Sequence, residues 1–308
     1  MSEGPAVEST VLTTVVLPIA LAIVMLGMGL GLAIADFKRV LAHPKAVMLG
    51  VFCQMLVLPA LAYGVVRLFD MPPELGVGLM ILALCPGGVT SNVFSMLARG
   101  DVALSVSLTA VVSVVTPFTI PLIGGAAMSS LLGDSQTFSM PLGKTIAALF
   151  IITAIPVSLG MLIKSRAPAF AERAEKTVRI VSVVLLFIII AGIMKRLGGD
   201  KIASFFSQAG WPALALNIVS MGVGVGVALL FNLRREQVVT IGVEVGIQNG
   251  TTALLVTSTI LESPTMAVAP AIYSLIMFAT GGLFAFVATS KLVGGSKTAD
   301  APPQPSRG

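Results

Sequence analysis

The stretch CPGGVTSN, residues 85–92, lies inside an apolar segment of the chain. Pro86 cannot donate the backbone hydrogen bond that a helix requires, and the two glycines after it relax the backbone further. A second stretch, GVEVGIQNGTT at residues 242–252, places glycines, amides and one carboxylate inside another apolar segment. Irregular backbone is tolerated at membrane depth only against protein or a water-filled cavity. The two stretches therefore predict two broken membrane helices around a polar site.

The composition of the whole chain is that of a membrane protein. Of its 308 residues, 56% are hydrophobic and only 11% are charged, and the mean hydropathy is +1.00. Soluble domains carry about 25% charged residues. The basic residues behind the net charge of +5 lie in short segments between apolar runs, which indicates topology signals and predicts no nucleic-acid partner. Cys53 and Cys85 show no metal-ligand spacing, so no redox or zinc site is predicted.

The lengths of the apolar runs predict the fold class. A bilayer core about 30 Å thick requires about 20 apolar residues of helix. Charged residues, prolines and glycines delimit nine such runs, which predicts an all-α polytopic membrane protein with one transmembrane domain over residues 11–291. The predicted spans lie near Val11 to Ala35, Pro44 to Leu68, Leu75 to Leu97, Val102 to Leu131, Pro141 to Ile163, Val178 to Met194, Trp211 to Phe231, Gln237 to Ile260 and Ala267 to Ala288.

The distribution of basic residues predicts the orientation. Nine spans place fourteen of the nineteen lysines and arginines on one side of the membrane. Because cytoplasmic loops are enriched in basic residues, residues 1–10 are predicted outside and the tail at 292–308 in the cytoplasm. That tail is rich in proline and poor in apolar residues, so it is predicted to be disordered. The protein is thus predicted to span a cytoplasmic-type membrane, inner or plasma, several times.

Glu244 is the one acidic residue of fourteen that lies well inside an apolar span. An acidic side chain at a helix centre costs about 2.5 to 3.5 kcal/mol, and such residues usually face a cavity or an ion path. The alternatives are a carboxylate hydrogen-bonded into the bundle for packing alone and a hydrated residue near a helix end. Paired interrupted spans favour a carboxylate that faces a cavity or an ion path, because they are typical of the midplane site of an inverted-repeat transporter.

Three further polar residues in apolar spans are candidate ligands. Ser105 and Thr109 are four residues apart, so they share a helix face and can direct two hydroxyls to one point. The alternative is that they bond to carbonyls of their own helix. Gln54 places an amide in the second span, where hydrogen bonding between helices is the alternative to ion binding.

Both broken segments resemble motifs of the bile acid:sodium symporter family, C-P-G-G-x-x-S-N and E-x-G-x-Q-N. The resemblance covers roughly residues 11–290. It implies an inverted-repeat transporter with two discontinuous crossing helices, and the nine spans are similar to the arrangement of the animal members, whereas bacterial members with ten helices have one more at the N-terminus. It also implies a core domain at about 44–131 and 209–290 and a panel domain at about 11–35 and 139–195.

The family resemblance implies two sodium sites that share one carboxylate. Oxygen-only ligation suits a hard cation, so sodium is the expected coupling ion, with two ions in each cycle. The implied ligands of the first site are Ser91, Asn92, Ser105, Thr109 and Glu244. The implied ligands of the second site are Gln54, Glu244, Gln248 and the backbone carbonyls of Val245 and Ile247.

Substrate is expected beside the crossing point of the broken helices, where half-helix N-termini offer N–H groups to an anion. The candidate residues are Thr90, Ser91, Asn249, Gly250 and Thr251.

The predicted function is sodium-coupled import of a small organic anion by alternating access, with the substrate and membrane lipid as partners. Family members are similar in coupling and differ in cargo. One Trp and two Tyr offer no aromatic platform for a sterol, so a carboxylate such as pantoate or pyruvate is favoured over a bile acid-like conjugate. An ion channel and a sodium/proton exchanger of related fold are the alternatives. Exchangers of that kind are expected to carry aspartates within their membrane spans, and the predicted spans of this chain contain none. An enzyme is not predicted, since Glu244 lacks a catalytic partner. The sequence does not specify the oligomeric state.

Overall fold

The structure of this chain is a computed structural model that is helical in character. No β-strand occurs in the part of the chain that it describes, and the apolar helices confirm the predicted all-α polytopic membrane class. The predicted outer segment 1–10 and the predicted tail 292–308 lie outside the described residues. The described residues are 15, 17–33, 35, 44–133, 142–197 and 199–290.

Eleven helices follow one another in the described residues, and four of them are short half-helices on either side of two breaks. Helix α2 contains a π-helical turn at Cys53–Val57, α5 contains one at Ile120–Gly124, and α10 ends in one at Val256–Ile260. The helices are α1 (Leu17–Gly31), α2 (Pro44–Leu68), α3 (Pro73–Ala83), α4 (Val89–Leu97), α5 (Val102–Leu132), α6 (Leu142–Arg166), α7 (Pro168–Leu197), α8 (Gly199–Leu230), α9 (Arg235–Gly246), α10 (250–260) and α11 (Val268–Thr289).

Six of these helices are long and apolar enough to cross a membrane: α2, α5, α6, α7, α8 and α11. Helix α1 is shorter in the described residues, and no half-helix reaches a span's length by itself. The total of nine spans therefore stays a prediction. Helices α7 and α8 begin ten and twelve residues before the predicted spans at Val178 and Trp211. Hydropathy marks only the apolar part of a helix, whereas charged and polar helix formers extend it beyond the bilayer.

The same order of elements surrounds both breaks. A long helix, α2 or α8, is followed by a half-helix, a break, a second half-helix and another long helix. The four described non-glycine residues with positive φ lie at matching turns, each two residues after a helix ends: Asp70, Arg99, Asn232 and Glu262. This correspondence supports an internal repeat, which stays a prediction.

Helix packing separates two neighbourhoods. Helix α1 packs chiefly on α6 and α7, whereas α8 packs on α9 and α11. Close approach of α8 to α9 requires Gly224, where a Cβ would lie 2.9 Å from the carbonyl oxygen of Ile241. The half-helices lie at the centre, since every residue from Gln237 to Gly246 is buried. The division into core and panel stays a prediction.

Candidate functional site

The two helix breaks meet. Gly88, the N-cap residue immediately before α4, has φ of +123°, a conformation that other residues rarely adopt. Its position leaves the carbonyl of Pro86 free of helical bonding, and this oxygen accepts a 2.8 Å hydrogen bond from the backbone N–H of Asn249 in the second break. Residues separated by more than 160 positions in the sequence are thereby joined directly at the centre of the molecule.

Hydroxyl groups surround the Glu244 carboxylate, which is 3% exposed. Ser105 Oγ lies 2.5 Å from Glu244 Oε1, and Thr109 Oγ1 donates to Oε2 at 3.0 Å. Ser105 Oγ also lies 2.8 Å from Asn92 Oδ1, and the Ser91 hydroxyl interacts with the same carboxylate. The five residues implied for the first sodium site therefore form one cluster between α4, α5 and α9. Ser105 and Thr109 face the carboxylate and do not merely bond to their own helix.

Gly87 allows the first break to approach this cluster closely. A Cβ at this position would lie 2.6 Å from Ser91 Oγ and 2.7 Å from Glu244 Oε2. Both distances are shorter than the contacts that Cβ atoms make in proteins, so an added carbon would clash. Gly87 is thus required for the close contact with the carboxylate, whereas Gly88 is required for the backbone conformation at the break.

Two buried amides form a second polar group next to the carboxylate. Gln54 Nε2 donates to Gln248 Oε1 at 2.7 Å and to the carbonyl oxygen of Cys85 at 3.2 Å. Gln248 Nε2 in turn donates to the carbonyl of Val245 at 2.9 Å. Gln54 lies in the π-helical turn of α2, which precedes Pro59, a residue without an N–H for the helical ladder. The amides therefore link both breaks to α2.

The donor set of these two groups fits a hard monovalent cation. Gln54 Oε1 is buried without a hydrogen-bond partner, although a buried polar atom normally has one. The remaining candidate ligands are hydroxyl, amide, carboxylate and carbonyl oxygens, which suit alkali and alkaline-earth ions and not transition metals. The described residues contain no cluster of three or more His, Cys, Asp or Glu side chains that could hold a metal ion. One carboxylate among neutral oxygens favours a monovalent ion over a divalent one.

A small cavity of about 20 Å³ lies next to the crossing point of the breaks. Four of the five candidate substrate residues line it, namely Thr90, Asn249, Gly250 and Thr251. Ser91 does not line it, because its fully buried hydroxyl donates to the carbonyl of Gly88 at 2.8 Å and lies beside the Glu244 carboxylate. Asn249 Oδ1 accepts from the backbone N–H of Thr252, as an N-cap does, and this contact leaves Asn249 Nδ2 buried without a partner.

The far wall of this cavity was missed by sequence reasoning. It is formed by Val24 of α1, by Ser182 and Leu186 of α7, and by Met277 of α11. Ser182 bonds to the carbonyl of Val178 in its own helix, so it looks like any isolated serine in an apolar span. No periodicity or motif marks these residues, and only the packing of α1 and α7 against the breaks places them here.

Comparison with known proteins places this arrangement in a class of membrane symporters. The family described as the Sodium Bile acid symporter family matches residues 18–205, which is more than half of the chain. The protein belongs to this family and is a multi-pass integral membrane protein. The resemblance inferred from the two motifs is thereby confirmed, as is the prediction that the protein is not an enzyme, since this is a family of transporters.

Curated relatives come from animals, bacteria and plants. The human P3 protein is 33% identical over 219 residues, which are 70% of this chain and 45% of that protein. The "Uncharacterized sodium-dependent transporter YocS" of Bacillus subtilis is 29% identical over 87% of this chain and 81% of its own length. The human "Sodium/bile acid cotransporter 4" is 27% identical over 87% of this chain and 62% of its own length. The chain thus spans less than half the length of the P3 proteins that it matches.

Proposed function

We propose that this protein is a sodium-coupled symporter that imports a small organic anion by alternating access. The observation that carries the proposal is the environment of Glu244. Its carboxylate is buried among hydroxyls, and among the described residues no lysine or arginine pairs with it. A buried carboxylate without a positively charged partner is strongly unfavourable. A bound sodium ion would supply the missing positive charge.

The first sodium ion is assigned to the hydroxyl cluster. Its ligands would be Glu244, Ser105 and Thr109 together with Ser91 and Asn92 of the first break. Ser105 Oγ and Asn92 Oδ1 are already within 2.8 Å of each other, so a cation between them would replace a hydrogen bond with direct coordination. Because these ligands come from α4, α5 and α9, occupation of the site would hold the two broken helices together.

The second sodium ion is assigned to the amide group. Gln54 Oε1, which lacks a partner, would be one ligand, and Gln248 Oε1 would be another. The carbonyls of Val245 and Ile247 and the shared Glu244 carboxylate would complete the set. Carbonyls next to a helix break lack the hydrogen bonds of a continuous helix. The carbonyl of Val245 accepts from Gln248 Nε2 at 2.9 Å, and the ion would replace this bond.

The two proposed sites balance the charge of a monovalent anionic substrate. Two sodium ions carry +2, while Glu244 and the substrate carry −1 each, so the loaded site has no net charge. A neutral site crosses the low-dielectric region at a much lower cost than a charged one. Each cycle would move one net positive charge inward, so a membrane potential of 100 mV would contribute about 2.3 kcal/mol to accumulation.

The cavity beside the breaks is the proposed substrate site. At about 20 Å³ it has room for little more than one water molecule, so its two walls would have to move apart to admit an organic acid. None of the described residues that line it is aromatic or charged. Asn249 Nδ2, Thr90 and Thr251 provide polar groups for a carboxylate, and the neighbouring sodium ions would supply positive charge. The absence of aromatic rings from this lining favours a small carboxylate over a sterol conjugate. Relatives named as sodium/metabolite cotransporters are compatible with this choice.

Alternating access is proposed to occur between the breaks and the panel. Helices α1 and α7 supply one wall of the cavity, while the breaks supply the other. A relative movement of these two walls would open the site to either side of the membrane. The proposed orientation has the N-terminus outside and the C-terminus in the cytoplasm, within a cytoplasmic-type membrane.

The experiment that tests the function measures thermal stability of the purified protein in sodium and in equal potassium, then uptake into proteoliposomes. Ligands that bind the native state raise its stability by mass action, by about 2.7 kcal/mol at one hundred times Kd. We expect a sodium-specific shift, a further shift with pantoate, pyruvate or taurocholate, and saturable uptake of that acid driven by a sodium gradient. Sodium current without a saturable substrate would indicate a channel, and sodium exchanged for protons would indicate an exchanger.

We predict that Ser105→Ala raises the sodium concentration required for half-maximal stabilisation by about tenfold. A hydrogen bond to a charged group contributes about 1.5 to 3 kcal/mol, and the variant removes one such bond as well as a proposed ligand. Ser107→Ala is the matched control, since Ser107 lies on the same helix and its hydroxyl bonds to the carbonyl of Ala103. Equal sodium responses of the two variants would remove Ser105 from the site.

A further inference from the structure

The carbonyl oxygen of Gly246, where α9 ends at the second break, accepts two hydrogen bonds from side chains. Asn217 Nδ2 of α8 donates to it at 2.8 Å, and the hydroxyl of Tyr273 of α11 donates at 2.8 Å. Both donors are fully buried. The last carbonyls of a helix have no partner within that helix, so these two side chains satisfy an oxygen that the break would leave unbonded.

Helix α11 contacts both ends of this break. Tyr273 bonds to the last residue of α9, and the adjacent Ser274 lies against Gly250, the first residue of α10. A Cβ at Gly250 would overlap Ser274 Oγ, which is itself fixed by a 2.7 Å bond to the carbonyl of Pro270. Two neighbouring residues on one helix therefore set the spacing between the two half-helices.

The end of α9 is also closed from the side of α8. Met221 packs against Gly246 so closely that a Cβ there would overlap its side chain. Glu244, two residues earlier, instead contacts α5 and the first break. The last turn of α9 thus lies between two sets of residues. Asn217, Met221 and Tyr273 contact its end at Gly246, and the proposed ion ligands lie on the side of Glu244.

The first half of the chain contains a comparable contact. Gln54 of α2 donates to the carbonyl of Cys85, where the first break begins, as Asn217 of α8 donates to that of Gly246. Helices α2 and α8 occupy equivalent places in the order of elements. The two contacts differ in that Gln54 also bonds to Gln248 of the break, whereas the Asn217 side chain donates to the carbonyl of Gly246 and interacts with the Tyr273 hydroxyl, the other donor to that carbonyl.

We propose that Asn217 and Tyr273 are positioning residues for the second sodium site. By fixing the carbonyl of Gly246, they set the directions of the carbonyls of Val245 and Ile247 on either side of it. These side chains do not touch the ion themselves, and they act through the peptide groups of the break. This inference rests on the proposed sodium coupling and extends it to residues outside the two ligand sets.

The test is Tyr273→Phe, which removes one hydroxyl and keeps the buried ring. We expect the sodium concentration for half-maximal thermal stabilisation to rise about fivefold, the usual contribution of one hydrogen bond, while the protein in potassium stays folded. Tyr63→Phe is the matched control, because Tyr63 is the other tyrosine and its hydroxyl bonds to Ser130 and Arg67, away from the breaks. Asn217→Leu, the second variant, removes the other donor to Gly246 and is expected to act in the same direction.

A lower melting temperature in potassium with an unchanged sodium half-saturation in Tyr273→Phe and Asn217→Leu would mean a purely structural role and would overturn the inference. A wild-type protein without any sodium-specific shift would overturn the proposed function itself. A normal wild-type shift with unaltered variants would overturn only the positioning role. The two failures are therefore distinguishable in one series of measurements.

Discussion

Replacing Glu244 with glutamine is expected to abolish the sodium-specific stabilisation of the protein and its sodium-driven uptake. Glutamine keeps nearly the same shape and can still bond to Ser105 and Thr109, so the fold should persist. The variant removes the one negative charge that the two proposed ions share. Two unit charges 4 Å apart interact by about 4 kcal/mol at an effective dielectric constant of 20, which corresponds to roughly a thousandfold in sodium affinity.

The matched control is Glu236→Gln, because Glu236 is an exposed carboxylate in the first turn of the same helix. Thermal stability would be titrated with sodium and with potassium in both variants, and uptake would be measured in proteoliposomes. The control is expected to behave like the wild-type protein. Normal sodium-driven uptake by Glu244→Gln would exclude the carboxylate as a shared ligand and would leave packing as its role.

Replacing Gly87 with alanine is expected to weaken sodium binding by about ten- to a hundredfold. Inserting a methyl group into a well-packed site typically costs about 1 to 3 kcal/mol. Here the added carbon would lie within 2.7 Å of both Ser91 Oγ and Glu244 Oε2, so the carboxylate or the hydroxyl must move. Gly87 lacks the positive φ of Gly88, so the substitution tests the space at the carboxylate and not the backbone conformation.

Gly64→Ala provides the control for this prediction. Gly64 lies within helix α2, and a Cβ there would meet no atom within 4 Å. Alanine is also the better helix former, so this variant should be as stable as the wild-type protein or slightly more stable. Sodium titrations of thermal stability would compare the two alanine variants. Equal sodium affinity in both would contradict close packing of the first break against the carboxylate.

The structure separates one of the five predicted substrate residues, Ser91, from the other four. Thr90, Asn249, Gly250 and Thr251 line one cavity, but Ser91 is turned to the carboxylate. Adjacent residues at the start of a helix point in different directions. The linear sequence of the motif therefore does not show which residue contacts the ion and which contacts the substrate. In our proposal Thr90 contacts the substrate and Ser91 contacts the ion.

Helix ends were predicted less well than helix positions. The start of α7 at Pro168 lies in a segment with Arg173 and Lys176, whose charges exclude it from a bilayer but not from a helix. Hydropathy shows which residues can lie in lipid, whereas backbone hydrogen bonding decides which residues are helical. The two limits therefore differ wherever a membrane helix projects into water.

The sequence by itself determined the membrane class, the places of the two breaks and the unusual carboxylate. Each of these depends on local chemistry: long apolar runs need lipid, Pro86 removes a helical hydrogen bond, and Glu244 is costly wherever an apolar helix carries it. The motifs also pointed to the family, and the resemblance supplied the ligand assignments, which stay a proposal.

Only the tertiary structure decided which residues meet around those breaks. The bond between Pro86 and Asn249, the wall formed by Ser182 and the two donors to Gly246 join helices that are distant in the chain. Such contacts depend on the directions of packed helices, and a lone serine, asparagine or tyrosine in an apolar span leaves no pattern that reveals its partner. Local sequence sets where a helix must break, whereas packing sets what faces the break.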